Sequence, residues 1–90
     1  MNDQKYVVLA ADDEVELLNS LELFLTRENI LMLKAKDGIE ALELFEKESP
    51  DMVLLDVMMP GIDGFKVLER IRATSKIPAI MLLQKVHRTQ

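Results

Sequence analysis

The sequence predicts an α/β domain built on a parallel sheet. Four short apolar runs, Tyr6–Ala11, Ile30–Ala35, Met52–Leu55 and Pro78–Leu83, alternate with segments whose apolar residues recur at helical spacing. The first, third and fourth runs are nearly continuous rather than alternating, as in strands covered on both faces. Successive runs begin roughly every 21–27 residues, enough for a helical crossover between parallel neighbours. The implied order is β-α-β-α-β-α-β, with right-handed connections.

Each element has its own local justification. In the second run Leu31, Leu33 and Ala35 alternate with Met32 and Lys34, which suits an edge strand. Val15, Leu18, Leu21 and Leu25, with Leu17 and Phe24 beside them, define one face of a first helix. Ile39, Leu42 and Phe45 define a second, with Glu40, Glu43 and Lys47 on the wet side; Phe65, Leu68 and Ile71 define a third. Asp13 with Glu16, and Asp37 with Glu40, have the spacing of a helix N-terminus. Ser49-Pro50 ends the second helix, because the residue before proline is pushed out of the α region. Pro60-Gly61-Ile62-Asp63-Gly64 is a turn-rich entry to the third helix, and Pro78 is tolerated as the first residue of a strand.

Composition narrows the function classes. The chain has 90 residues, the size of one small domain. It is 49% hydrophobic and 30% charged with three Gly and three Pro, which excludes a low-complexity or disordered sequence. No apolar run approaches the ~20 residues that span a bilayer, and no basic-then-apolar leader opens the chain, so no membrane association and a cytoplasmic location are expected. The absence of cysteine excludes disulfides, thiolate metal sites and Cys nucleophiles. Eleven Lys and Arg against 16 Asp and Glu give a net charge of −5, and with no basic cluster direct nucleic-acid binding is not expected.

Ligands of an open parallel sheet collect at the carboxyl ends of its strands, and two strands end in acids. The first gives Ala10-Ala11-Asp12-Asp13 and the third gives Val53-Leu54-Leu55-Asp56. If these strands adjoin, three carboxylates converge, and their repulsion raises their pKa values unless a cation neutralises them. Oxygen ligands without His or Cys favour a hard ion, and Mg²⁺ fits best. Asp13 alone is equally readable as the N-cap of the first helix, and Asp12 as a solvated loop residue. Asp56 has no helix to cap in its immediate sequence, and a carboxylate beside a metal is an adequate nucleophile towards phosphorus. No glycine-rich phosphate loop follows the first strand. His87 lies in the tail without a triad partner, and Met52 and Met81 read as core filler.

These residues carry a family likeness. Ala10-Ala11-Asp12-Asp13-Glu14, Ala35-Lys36-Asp37-Gly38-Ile39-Glu40-Ala41-Leu42 and the run from Pro50 to Gly64 resemble the receiver domain of two-component response regulators, from about Lys5 to Leu82. The resemblance implies a doubly wound, flavodoxin-like sheet of strand order 2-1-3-4-5. It implies that Asp56 receives a phosphoryl group from a sensor histidine kinase or phosphotransfer protein. It also implies that Asp12 and Asp13 hold Mg²⁺ together with Asp56 and the backbone carbonyl of Met58. The protein is then a phosphoacceptor module, not an enzyme beyond self-phosphorylation and autodephosphorylation.

The chain also departs from the family pattern. Receivers place Thr or Ser at the end of strand four, where Leu83-Gln84 stands here, and leucine has no donor. The expected architecture is therefore an incomplete receiver over residues 1–83, of order 2-1-3-4, without the fifth strand and last two helices. Residues 84–90 form a tail unlike the family, and Lys85 does not replace the lysine of strand five. Read one base earlier, suitably chosen codons for Leu83-Gln84-Lys85-Val86 give Ser or Thr, Ala, Lys or Glu, then Gly or Ser, so the expectation is a nucleotide lost near codon 82 and an out-of-frame tail. Three functions follow: a receiver with impaired switching, a non-signalling fragment that self-associates, and an aspartate-nucleophile phosphohydrolase. The last ranks lowest, because Met58 stands where that class needs a general acid. An open fourth strand, blunted only by Lys85 and Arg88, favours a homodimer or swapped dimer.

Overall fold

The computed structural model describes residues 5–83. Within them alternate β1 (Tyr6–Ala11), α1 (Val15–Arg27), β2 (Ile30–Ala35), α2 (Gly38–Glu48), β3 (Met52–Asp56), α3 (Gly64–Arg72) and β4 (Ala79–Leu82). The strand pairings among the described residues are all parallel, in the order β2-β1-β3-β4. This is the expected flavodoxin-like α/β arrangement, with β2 at an edge. The tail 84–90 lies outside the described residues, and with it the expectations for Gln84, Lys85, His87 and Arg88 and the frame change.

The near-continuous apolar strands supply both faces of the sheet. Leu9, Ala11, Val53 and Leu55 point into a core completed by Ala41 of α2 and by Val67 and Ile71 of α3. Ala10 and Met32 point the other way and pack with Leu18 of α1. Leu9, Leu55 and Ile71 are fully buried, and each such side chain contributes roughly 1.5–3 kcal/mol by leaving water. α2 and α3 thus share one face, while α1 covers the other, chiefly over β2.

Two helices are rotated from the stripes read in the sequence. In α3 Val67 and Ile71 are buried, whereas Phe65 is 58% exposed. The cause is Gly64, the first residue of α3, whose N–H donates to the Val57 carbonyl at 3.1 Å. A Cβ there would collide with the Asp56 carbonyl oxygen and lie 3.0 Å from Met81 Cε. With Gly64 fixed against β3, the positions three and seven residues on turn inward. α2 follows the same rule. A Cβ at Gly38 would meet the Ile62 carbonyl oxygen at 2.6 Å, Ala41 is buried, and Ile39 is turned out.

Other local expectations are corrected or confirmed. Asp13 does not cap α1: the N-cap is Glu14, without a side-chain cap bond. Asp37 caps α2 by accepting from the Glu40 N–H at 2.8 Å, and Glu40 reaches back to the Lys36 N–H. Asp63 caps α3 by accepting from the Lys66 N–H at 2.9 Å. α2 stops at Ser49, held at φ 48° in the left-handed region before Pro50. In β2 the buried residues are Met32 and Ala35, while Leu31 lies outside both core clusters and is 45% exposed. On α1, Val15, Leu23 and Phe24 are exposed, because its apolar surface is wider than the strip of sheet it covers.

Gly64→Ala should destabilise the domain by about 1–3 kcal/mol despite alanine's better helix propensity, because the methyl displaces α3 from β3. Urea titration should show a lower midpoint with an unchanged slope.

Candidate functional site

The site forms where the chain changes direction in the sheet. From β1 the crossover leads to β2 on one side, and the next crossover returns past β1 to β3 on the other. Ligands bind at such a switch point, outside the carboxyl ends of the strands. Ala11 pairs with Leu55 in the β1–β3 register, so the residues that follow, Asp12 and Asp56, emerge side by side.

Asp12 and Asp56 are buried at 0% and 3% exposure, and Asp13 is exposed. Asp12, Asp13 and Asp56 each offer an oxygen within 4.8 Å of the other two. The two buried acids are aimed by one device, a side chain that accepts from the backbone two residues on. Asp12 Oδ1 takes the Glu14 N–H at 2.8 Å, and Asp56 Oδ1 takes the Met58 N–H at 3.2 Å. The turn after Asp12 starts α1 one residue later than the Asp13–Glu16 spacing implied, which releases Asp13 from capping and leaves it at the rim.

This crowding shows in the chemistry of Asp56. Burial pushes its carboxyl above the ordinary carboxylate value, and the Met58 N–H pulls it back. The charges of Asp12 and Asp13, and a side-chain hydrogen bond with Asp12, raise it further. A divalent cation relieves all of the raising causes except burial itself. The donor set is oxygen only and preorganised on rigid strand ends, which suits a hard ion such as Mg²⁺ that keeps several waters.

The sequence-derived residues Asp12, Asp13 and Asp56 therefore converge, with Met58 beside them. Met58 is 73% exposed and lies with Asp13, Met59, Pro60, Gly61 and Asp63 around an open cleft of about 510 Å³. Sequence reasoning missed Asp63 and the backing role of Gly64. The signal for Asp63 was its place directly before a helix, three residues ahead of Lys66. Asp56 pairs with Leu82 across the β3–β4 ladder, so Leu83, 80% exposed, follows directly at the same rim.

An acidic pocket at the switch point of a flavodoxin-like sheet defines a class of signalling modules, and comparison with known proteins agrees. The sequence profile of the response regulator receiver domain matches residues 8–89. The chain belongs to the response regulator receiver domain family of two-component systems. It is 45% identical over 80 residues to the probable transcriptional regulator ycf27 of Guillardia theta, covering 89% of this chain and 32% of that protein. It is 43% identical over 75 residues to the transcriptional regulatory protein AfsQ1 of Streptomyces coelicolor, covering 83% of this chain and 33% of that protein. The chain thus spans about a third of the length of these relatives. Among solved structures, the N-terminal domain of a response regulator receiver protein from Methanoculleus marisnigri superposes with a TM-score of 0.85 at 36% identity, over 94% of this chain and 72% of that one. Vibrio cholerae chemotaxis protein CheY4 superposes with a TM-score of 0.86 at 29% identity, over 93% and 72%. Receiver domains are signalling modules rather than conventional enzymes, and they typically bind Mg²⁺ in an acidic pocket.

The raised Asp56 pKa fixes the sign of a pH effect. Without divalent cations the native state keeps this proton to a higher pH than the unfolded chain does. Stability should therefore fall as pH rises from the ordinary carboxylate range through the raised value. Asp56→Asn should flatten that slope and raise Tm at neutral pH, as read by thermal unfolding across a pH series.

Proposed function

We propose that Asp56 is the phosphoacceptor of this receiver domain, loaded by a sensor histidine kinase or phosphotransfer protein in the cytoplasm. The convergence of Asp12, Asp13 and Asp56 at one strand rim carries this reading. Asp12, Asp13, Asp56 and the Met58 carbonyl would hold Mg²⁺, which supplies charge neutralisation of the phosphoryl oxygens. Asp56 Oδ1 is tied to the Met58 N–H, which orients the carboxylate. A carboxylate oxygen of Asp56 attacks phosphorus, an O–P bond forms, and the donor's bond to phosphorus breaks with the electron pair leaving on the donor. Gly64 packs against the Asp56 backbone and holds the attacking residue in place.

Switching in this chain is impaired under the same reading. Leu83 offers no hydroxyl to the phosphoryl group at the rim beside Asp56. Removing one donor to developing charge typically costs about 2.7–4 kcal/mol of barrier. Residues 1–83 are the receiver unit in this proposal.

Incubation with Mg²⁺ and a small acyl phosphate should label wild type slowly and Asp56→Asn not at all. Asp12→Asn should lose the Mg²⁺ dependence. Leu83→Thr should raise the labelling rate, and phosphate retention in Asp56→Asn would refute the assignment.

A second reading, self-association, is favoured by β4. Among the described residues it pairs only with β3, and Ile80 is 46% and Leu83 80% exposed. An edge strand with open backbone groups and apolar side chains is a template for another strand. We propose a homodimer or swapped dimer through β4, symmetric by default. Sedimentation at micromolar concentration should show a dimer, and Ile80→Lys should shift it to monomer; a wild-type monomer overturns the proposal.

A further inference from the structure

We infer that Met58 is a site of reversible oxidation whose sulfoxide slows phosphoryl uptake at Asp56. The inference rests on the reading of Asp56 as phosphoacceptor, but its first observable does not. Met58 is 73% exposed, whereas Met32 and Met59 are at 5% and 8%, and Met52 and Met81 are half-buried. A large apolar side chain left in water contributes nothing to the core, and Met58 belongs to neither hydrophobic cluster. It lines the open cleft together with Asp13 and Asp63, two residues after the buried Asp56. Its own N–H holds Asp56 Oδ1.

The chemistry is a two-electron oxidation by a hydroperoxide. The thioether lone pair attacks the distal peroxide oxygen, an S–O bond forms and the O–O bond breaks. With hydrogen peroxide the departing hydroxide takes the remaining proton and leaves as water. A dithiol reductase reverses the step: the sulfoxide oxygen leaves as water and the two thiols become a disulfide. The product is polar and chiral where the thioether was apolar. Because Met58 packs against nothing in the core, the fold survives the change, and the effect falls on the cleft. There a sulfoxide adds a negatively polarised acceptor oxygen to a rim that already carries carboxylates and must admit an anionic phosphodonor. The sulfoxide adds no net charge, so it acts as a bulkier, hydrated side chain at the cleft mouth, and phosphoryl uptake slows.

The full chain is treated with dilute hydrogen peroxide, quenched, and mapped by peptide mass spectrometry. Met58 should gain an oxygen several-fold faster than Met32, Met59, Met52 or Met81; equal rates, or an earlier reaction at any of these, overturn the proposal. Mg²⁺-dependent labelling by a small acyl phosphate is then compared before and after treatment. The oxidised wild type should label several-fold more slowly and recover after methionine sulfoxide reductase with dithiothreitol. Met58→Leu should label at the same rate before and after its own treatment. An unchanged rate in oxidised wild type overturns the proposal, as does equal slowing in treated Met58→Leu. No labelling of the untreated chain overturns the phosphoacceptor reading and the switch with it, while the oxidation order still tests the reactivity of Met58 alone.

Discussion

The approach of Gly64 to the backbone of Asp56 is the constraint on which the rest of this domain depends. It brings the N-terminus of α3 against the end of β3 more closely than any side chain permits. From that one contact follow the rotation of α3, the burial of Val67 and Ile71, and the exposure of Phe65. Val67 in turn lies under Gly38 of α2, and Gly38 also meets the Ile62 carbonyl in the loop between β3 and α3. Two helices and the loop of the acidic cleft are thus locked together by two glycines. The close packing that shapes the core also sets where the acidic side chain of Asp56 stands.

The site itself pulls against stability. Asp12 and Asp56 are almost fully removed from water and lie within reach of each other and of Asp13. Desolvation and like charge both disfavour ionisation of Asp56, and one backbone N–H offsets this only in part. Such an arrangement persists in a small domain because the surrounding sheet is rigid and well packed. The strain is electrostatic rather than steric, so a bound cation can relieve it.

The two faces of the sheet are finished differently. α2 and α3 contact each other and close a core that holds nine buried residues among those described. On the other side α1 lies chiefly over β2, and a smaller cluster of Ala10, Leu18 and Met32 is only flanked by Leu54. Phe24, Leu23 and Val15 stay exposed on α1, and Ile80 on β4. Exposed apolar side chains thus remain on both sides of the sheet, with Phe65 and Ile39 turned out on α3 and α2 as well.

Much of this was determined by the sequence alone. The four strands, the parallel arrangement and the acids ending the first and third strands are encoded in local runs, because strand burial and helix periodicity are near-neighbour properties. The Asp37–Glu40 cap was legible for the same reason. Helix phase was not. Phe65 and Ile39 fit an apolar stripe as well as Val67 and Ala41 do, and only the backbone approach at Gly64 and Gly38 selects between them. Nor could spacing reveal that Asp13 leaves its capping role, since this depends on Asp12 turning back to the Glu14 N–H. The inversion of Met32 and Leu31 in β2 likewise depends on where α1 and the core clusters lie. The sequence by itself determined which elements exist and which residues could bear charge at their ends. Tertiary structure decided how each helix is rotated and which carboxylates meet, because both depend on contacts between residues far apart in the chain.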